Sequence, residues 1–175
     1  MATPGSAIGI ALLVALAPSV AAQAPPDSGP PMPPDSALTA CVIFRVDDGD
    51  TIECEAQGRV RLIGIDAPER DQAGADRSLA EAARLMPVGA EVRLELDVEA
   101  RDRYGRLLAY VWRDGTLINW RLVRDGLAVS FRYHPNLRYA PWFDAAEARA
   151  SAERRGLNAT AGLACRPVDH RKHRC

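Results

Sequence analysis

The feature that most constrains the fold of this chain is a series of five short strand-like runs separated by turn residues. These runs are residues 42–46, 51–54, 59–65, 92–98 and 107–112. The first two flank Asp48-Gly49, and an Asp-Gly pair between such runs is a strong hairpin signal. Several short strands without an internal repeat favour a small closed barrel, because closure leaves no strand edge unpaired.

Three other segments have the pattern of amphipathic helices. In the first, Ser78 and Glu81 have the spacing of a capping box, so Ser78 is expected near the start of the helix as its N-cap. The second helix is expected to begin at an Asn119 N-cap, and the third to open at Pro141. We therefore predict an α+β fold, a five-stranded β-barrel with about three α-helices, and the OB-fold is one such closure.

The first 40 residues have the composition of an export signal followed by a linker. Residues 8–20 form an apolar run, and Ala22-Gln23-Ala24 has the small-x-small pattern that signal peptidase reads. The run is shorter than the roughly 20 apolar residues of a membrane-spanning helix, so a cleaved signal peptide is favoured over a transmembrane anchor. The prolines that follow favour an extended, disordered chain.

These features predict how the chain is organised. The expected parts are a signal peptide at 1–24, a proline-rich disordered lead-in at 25–40, a folded domain at 41–157 and a C-terminal tail at 158–175. We expect the mature protein to be secreted or periplasmic, with no membrane segment after signal cleavage.

Four cysteines follow the predicted signal peptide, and an even number in an exported chain indicates disulfides. They are Cys41, Cys54, Cys165 and Cys175, for which three connectivities are possible. We favour Cys41 with Cys54 and Cys165 with Cys175, because each pair is close in sequence. The first bond would join the arms of one hairpin, and the second would close the tail.

The charge balance excludes attraction of a polyanion by the molecule as a whole. The chain has 22 Lys and Arg residues against 23 Asp and Glu residues, and its formal net charge is −1. Binding of nucleic acid would therefore need a local basic site. Nearly all the basic residues are arginine, whose planar guanidinium binds phosphate oxygens two at a time, but abundance alone does not mark a phosphate site.

Two pairs of carboxylates lie at the ends of strand-like runs. Asp48 and Asp50 are on the hairpin turn, and Asp66 and Glu69 follow the third run. If these strands are neighbours, their ends converge and offer the oxygen ligands that calcium or magnesium prefers. An Asp-Gly pair taken alone is usually only a turn, so the combination of the two pairs is what suggests a metal site.

Three sequence blocks resemble the signature blocks of staphylococcal nuclease-like proteins. They are Val-Asp-Asp-Gly-Asp-Thr-Ile at 46–52, Arg-Val-Arg-Leu-Ile-Gly-Ile-Asp-Ala-Pro-Glu at 59–69 and Asp-Arg-Tyr-Gly-Arg-Leu-Leu-Ala-Tyr at 102–110. The blocks match in order and spacing, and the resemblance extends from Cys41 to about Gly156. It implies an OB-fold barrel and a calcium-dependent nuclease that leaves 3′-phosphate ends.

The resemblance implies a metal site in the carboxylate pairs. Asp50 and Asp66 resemble the family's metal-binding carboxylates, Ala67 would offer its backbone carbonyl, and Asp48 would lie just outside these ligands. Ala67 stands where the prototype has threonine, which matters little if only the carbonyl binds. The implied cofactor is one calcium ion, in preference to magnesium.

The resemblance also implies three catalytic residues. Arg61 and Arg106 match the family's phosphate-binding arginines, which can offset the charge that builds on the phosphate in the transition state. Glu69 matches the glutamate that contacts the attacking water, either as general base or as a water-positioning group. If Arg106 is considered without the matched block, a surface salt bridge explains it equally well.

Two aromatic residues are candidates for substrate contact. Tyr104 and Tyr133 can each offer a face on which a base stacks, and core packing is an equal explanation. The sequence therefore predicts an exported, monomeric nuclease that hydrolyses phosphodiester bonds of DNA and/or RNA. The alternative is a non-catalytic OB-fold module that binds nucleic acid, and such a module would be expected to have lost catalytic residues that this chain has.

Overall fold

The computed structural model of the protein describes residue 1 and residues 27–175. Apart from Met1, the predicted signal peptide at 1–24 lies outside these residues and stays a prediction. Among the residues that the structure describes, no helix is long and apolar enough to cross a membrane.

Five strands close into a barrel. They are β1 (Leu38–Asp48), β2 (Thr51–Cys54), β3 (Gly58–Leu62), β5 (Glu91–Glu95) and β6 (Leu107–Arg113). Strand β1 pairs with β2 and β5, β2 pairs with β3, and β5 pairs with β6, all antiparallel. The ring closes where β6 pairs with β3 in the parallel direction. The predicted five-stranded barrel of OB type is therefore confirmed.

Three short strands lie outside this ring. Strand β7 (Thr116–Leu117) forms a hairpin with β6, and β4 (Ile65–Asp66) pairs with β8 (Val129–Ser130) in a separate two-stranded sheet. The β4–β8 pair fixes Asp66, one of the predicted metal ligands, beside the end of the barrel.

The third predicted run, at 59–65, is interrupted at Gly64. Its φ of 83° is in the left-handed region, and a Cβ atom there would lie 2.1 Å from the ring of Phe143. The chain therefore bends beneath the ring of Phe143, and Ile65 leaves the barrel to join the smaller sheet. The fourth predicted run also ends early, at Glu95, and Leu96 and Val98 are exposed beyond it.

Within residues 27–175, three longer α-helices and one short α-helix complete the fold. They are α1 (Ala75–Leu85), α2 (Ile118–Arg124), α3 (Ala140–Ala152) and the short α4 (Pro167–His170). Pro141 lies in the first turn of α3, as predicted. Helix α3 packs against α2 and β8, so these elements bury one end of the barrel.

Two of the predicted helix starts are wrong, because the proposed caps serve tertiary contacts. Helix α1 begins before Ser78, after Gly74, and the buried Ser78 hydroxyl donates to the carbonyl of Leu127 at 2.9 Å. Helix α2 begins at Ile118, and the Asn119 side chain donates to the carbonyl of Ile63 at 2.9 Å. Each polar side chain therefore joins its helix to another part of the domain.

The hairpin that carries the acidic turn is irregular. Cys54 lies opposite Ile43, and the register shifts between Ile43 and Arg45 and again between Val46 and Asp48. A disulfide joins Cys54 to Cys41, two residues along β1 from its cross-strand partner, with the Cα atoms 5.5 Å apart. This diagonal pairing across a bulged hairpin is the one favoured from the sequence.

The segments that flank the barrel are more ordered than the sequence suggested. The predicted lead-in at 25–40 ends three residues too late, because β1 begins at Leu38. Pro30 is buried, and Gly29 lies against the ring of Trp120, where a Cβ atom would be 3.0 Å from it. The tail at 158–175 contains α4 and a disulfide between Cys165 and Cys175, again the favoured pair.

Candidate active site

The turn between β1 and β2 packs tightly against the segment that follows β4. The Asp48 carboxylate accepts a hydrogen bond from the Asp50 amide at 3.0 Å, which holds the turn closed. At Gly49 a Cβ atom would lie 2.1 Å from Ser78 Oγ and 2.6 Å from Ala67 Cβ. A residue without a side chain is therefore required there for the two acidic segments to meet.

Asp50 is buried at this junction, with 7% of its surface exposed. Its Oδ2 atom accepts a hydrogen bond from the Ala67 amide at 2.7 Å and lies 3.0 Å from a terminal nitrogen of Arg61. Burial raises the pKa of Asp50 to about 7, although the ion pair with Arg61 opposes this and the Asp48 carboxylate adds to it. A cation close to Asp50 would favour its ionised form.

Arg61 joins the two predicted metal-binding carboxylates. The nitrogen that contacts Asp50 is also 3.1 Å from Asp66 Oδ1 and donates to the carbonyl of Ile65 at 3.0 Å. The other terminal nitrogen donates to the carbonyl of Leu62 at 2.6 Å. Only 11% of the side chain is exposed, so Arg61 is a buried part of the site.

Asp66 lies beneath the cavity and is fully buried. Besides Arg61, it binds a second arginine, Arg171, whose two terminal nitrogens reach Oδ1 and Oδ2 at 3.0 Å each. Arg171 also contacts the carboxylate of Glu69. The sequence reasoning missed Arg171, because it comes from the C-terminal tail and belongs to none of the recognised blocks.

Another part of the cavity lining comes from the loop between β5 and β6. Asp102 accepts hydrogen bonds from Arg106 Nε at 2.7 Å and from the amides of Tyr104 and Arg106. Burial opposes ionisation of Asp102, but the hydrogen bonds from Arg106 and the Tyr104 amide outweigh it and lower its pKa. Within residues 27–175, the two terminal nitrogens of Arg106 make no hydrogen bond, which leaves them available to an anion.

Aromatic side chains border the same loop. Tyr104 is 68% exposed, and the guanidinium groups of Arg103 and Arg106 lie 4.7 and 5.6 Å from its ring centre. Tyr133 is half-buried and packs edge-on against Phe131, with the ring centres 6.4 Å apart. Tyr104 is therefore largely exposed, with two guanidinium groups over its ring, whereas Tyr133 is partly committed to packing.

These groups share one cavity of about 620 Å³. The predicted site residues that line it are Asp48, Asp50, Arg61, Ala67, Glu69, Tyr104, Arg106 and Tyr133. Asp66 does not line the cavity. It lies below the lining residues and forms ion pairs with Arg61 and Arg171. Five arginines and five Asp or Glu residues line the cavity, so phosphate would be bound by individual guanidinium groups and not by a net positive charge.

The carboxylates of this cavity are not grouped as a metal-binding cluster in the described part of the chain. Among the described residues, no group of three or more His, Cys, Asp and Glu side chains is arranged to hold a metal ion. Asp50 and Asp66 nevertheless contact the same nitrogen of Arg61, so their two oxygens are no further apart than the sum of those distances. A cation bound here would rely on two carboxylates, with backbone and water oxygens as the other ligands.

Comparison with known proteins identifies relatives of this chain. A protein-family model described as staphylococcal nuclease homologue matches residues 59–159. The matched segment contains Arg61, Asp66, Glu69 and Arg106, whereas Asp50 precedes it and Arg171 follows it.

Individual relatives carry the names of nucleases. A thermonuclease from Staphylococcus intermedius is 36% identical over 125 residues, which cover 67% of this chain and 73% of that protein. A thermonuclease from Staphylococcus hyicus is 32% identical over 123 residues, covering 66% and 73%. Endonuclease YncB from Bacillus subtilis (strain 168) is 32% identical over 137 residues, covering 71% and 64%.

Proposed function

The chain belongs to the staphylococcal nuclease homologue family and is a phosphodiester-cleaving nuclease, and from that premise we propose that it is an exported, calcium-dependent endonuclease. It acts as a monomer on DNA and/or RNA and leaves 3′-phosphate ends. The observation that carries the proposal is the convergence of Asp50, Arg61, Glu69 and Arg106 on one cavity, with Asp66 directly beneath.

The donor chemistry of the cavity fits a hard divalent cation. Asp50 and Asp66 are buried carboxylates, and buried carboxylates need a positive partner. Arg171 supplies one to Asp66, which makes its guanidinium a stand-in for a cation at that carboxylate. An open carboxylate site suits the irregular coordination of calcium better than the strict octahedron of magnesium. When bound, calcium would offset negative charge on the phosphate.

The two arginines that line the cavity, Arg61 and Arg106, bind the scissile phosphate. Arg106 presents two terminal nitrogens, and Asp102 fixes the direction of its side chain through Nε. Arg61 is positioned by the carbonyls of Leu62 and Ile65. A fixed guanidinium needs little reorganisation as charge builds on the phosphate, so such donors lower the barrier most in the transition state.

Glu69 holds the attacking water. Its backbone amide donates to Gln72 Oε1 at 2.9 Å, which anchors the residue, while its half-exposed carboxylate lines the cavity. A carboxylate at this point can accept a proton from water as the water attacks phosphorus, or can orient the water without taking the proton. Both roles require that Glu69 be ionised and free of other partners.

Export is supported by the N-terminal sequence and by the cysteines. The apolar run at 8–20 and the Ala22-Gln23-Ala24 pattern predict cleavage after Ala24. The structure describes no free cysteine, and both disulfides suit an oxidising compartment. Expression of the full chain in a bacterial host, followed by mass measurement of the periplasmic product, tests this, and a product that retains residues 1–24 would contradict it.

Digestion of single- and double-stranded DNA and RNA, with calcium or with excess chelator, tests the activity. We expect cleavage with calcium, weaker cleavage with magnesium, and none with chelator. The products should accept a labelled phosphate at the 5′ end without prior dephosphorylation, because the phosphate stays on the 3′ side. Full activity in excess chelator would overturn the metal assignment, and 5′-phosphate products would overturn the predicted bond cleavage.

A further inference from the structure

The C-terminal residues 165–175 form a small loop that lies over the candidate active site. A disulfide between Cys165 and Cys175 closes this loop, and α4 occupies its middle. The loop begins after residue 159, where the match to the family model ends. It is therefore a feature that the family match does not account for.

Several contacts hold the loop against the domain. Arg166 binds Glu147 Oε1 at 2.6 Å and donates to the carbonyl of Ser130 at 2.8 Å. The Gln72 side chain donates to the carbonyl of Cys165 at 3.2 Å. These contacts attach the loop to α3, to β8 and to the segment that precedes α1, so its position over the site does not depend on one ion pair.

Arg171 is the residue by which the loop enters the site. Its two terminal nitrogens donate to both oxygens of Asp66 at 3.0 Å, and one of them also contacts Glu69. Asp66 is fully buried, while 40% of the Arg171 side chain is exposed. A two-point contact with a buried carboxylate is stronger and more specific than an exposed ion pair, which contributes about 1 kcal/mol or less.

We propose that residues 165–175 are an inhibitory loop, in which Arg171 competes with the divalent cation for the carboxylate of Asp66. The inference rests on the proposed metal site. The two terminal nitrogens of Arg171 occupy both oxygens of Asp66, which are the positions that a cation would bind, so the cation reaches this carboxylate only when Arg171 leaves it. The contact with Glu69 closes the water-binding carboxylate at the same time, and departure of Arg171 frees both groups together.

The extent to which Arg171 weakens cation binding depends on the fraction of molecules in which the loop is closed. If only about one molecule in ten is open, the apparent affinity for the cation is about tenfold weaker than that of the open site. The disulfide keeps Arg171 close to Asp66 after each opening, because a short closed loop gives its residues a high effective concentration. Removal of the arginine should therefore tighten cation binding, and removal of the disulfide should do so to a smaller extent.

Calorimetric titration of calcium alone into the folded, oxidised protein measures this competition without substrate. The proteins compared are the wild type, Arg171→Gln, the double variant Cys165→Ser/Cys175→Ser, and Arg174→Gln. Arg174 is the matched control, since it lies on the same loop and, among the described residues, its side chain pairs only with Asp169. We expect about tenfold tighter binding for Arg171→Gln, a smaller tightening for the double variant, and binding within about twofold of wild type for Arg174→Gln.

The outcomes separate the loop from the metal site. Unchanged or weaker binding by Arg171→Gln would overturn the inhibitory loop and leave the calcium site in place. Equal tightening by Arg174→Gln would overturn it as well, because the effect would then be one of general charge. An absence of calcium binding in all four proteins would overturn the proposed metal site, and the inference with it.

Discussion

Asp50, Arg61 and Asp66 are buried and interlocked, whereas Asp102 and Arg106 lie on the loop between β5 and β6. Arg61 contacts two carboxylates and two carbonyls with 11% of its side chain exposed. Arg106 contacts one carboxylate, four residues before it in sequence, with 23% exposed. We call these the buried half and the loop half.

The buried half and the loop half differ in how closely function is coupled to stability. In the buried half the same groups hold the barrel end together and form the proposed metal and phosphate site, so a substitution there changes both. In the loop half the arginine is oriented by a local turn, and hydrogen bonds within five residues set its position. Substitutions there should change catalysis with little effect on folding.

The largest effect is expected from Arg61→Lys. Lysine keeps the charge but cannot reproduce the planar fork, so we expect turnover to fall by about two to three orders of magnitude. Lysine also leaves some of the four oxygen acceptors of Arg61 without a donor, which should lower the free energy of unfolding by about 1–3 kcal/mol. Turnover at saturating calcium and urea unfolding measure the two effects, and turnover within a few fold of wild type would show that Arg61 is only structural.

Arg106→Lys should reduce turnover by about two orders of magnitude and leave the free energy of unfolding within about 0.5 kcal/mol of wild type. The reason is that its contact with Asp102 is a partly exposed pair within one loop. The turnover of Arg106→Lys is compared with that of Glu69→Gln, because the glutamine variant removes the proton acceptor and keeps the size of the side chain. If Arg106→Lys lowered the free energy of unfolding as much as Arg61→Lys, the two halves would not differ in their coupling to stability.

A pair of glycine substitutions compares the packing of the two halves directly. Gly49→Ala introduces a Cβ atom 2.1 Å from Ser78 Oγ, and such overpacking costs about 1–3 kcal/mol. Gly105→Ala meets no atom within 4 Å, so only its φ of 78° resists the change, at a cost of about 1 kcal/mol. Chemical denaturation of both variants gives the two values, and a larger loss for Gly105→Ala would contradict the comparison.

The smallest effect is expected from Tyr104→Leu. Tyr104 is exposed in the loop half, and loss of a stacking face should raise KM about fivefold without changing kcat, because the contact is made equally in the ground and transition states. Tyr133→Leu serves as the matched variant. Because Tyr133 packs against Phe131, this substitution should lower the free energy of unfolding as well. Steady-state kinetics on a single-stranded substrate measures kcat and KM of both variants, and urea unfolding measures the stability of Tyr133→Leu. A fall in kcat with unchanged KM for Tyr104→Leu would exclude a stacking role.

The local features of this protein were predictable from the sequence. The hairpin turn at Asp48-Gly49, the five strand-like runs and the blocks that carry the family resemblance are patterns over fewer than about a dozen residues, where turn chemistry and side-chain alternation act directly. The disulfide pairing was also favoured correctly, because each pair is close in sequence. The predicted fold class is confirmed, and the roles of the site residues remain predictions.

The tertiary structure decided the features that depend on residues far apart in the chain. Ser78 and Asn119 are expected to cap helices by accepting hydrogen bonds from backbone amides, but each side chain instead donates to a carbonyl in a distant segment, that of Leu127 and that of Ile63. Local propensity cannot predict such a partner, because its energy exists only once the chain is folded. For the same reason no pattern in the sequence indicated that Arg171 would reach Asp66, 105 residues away.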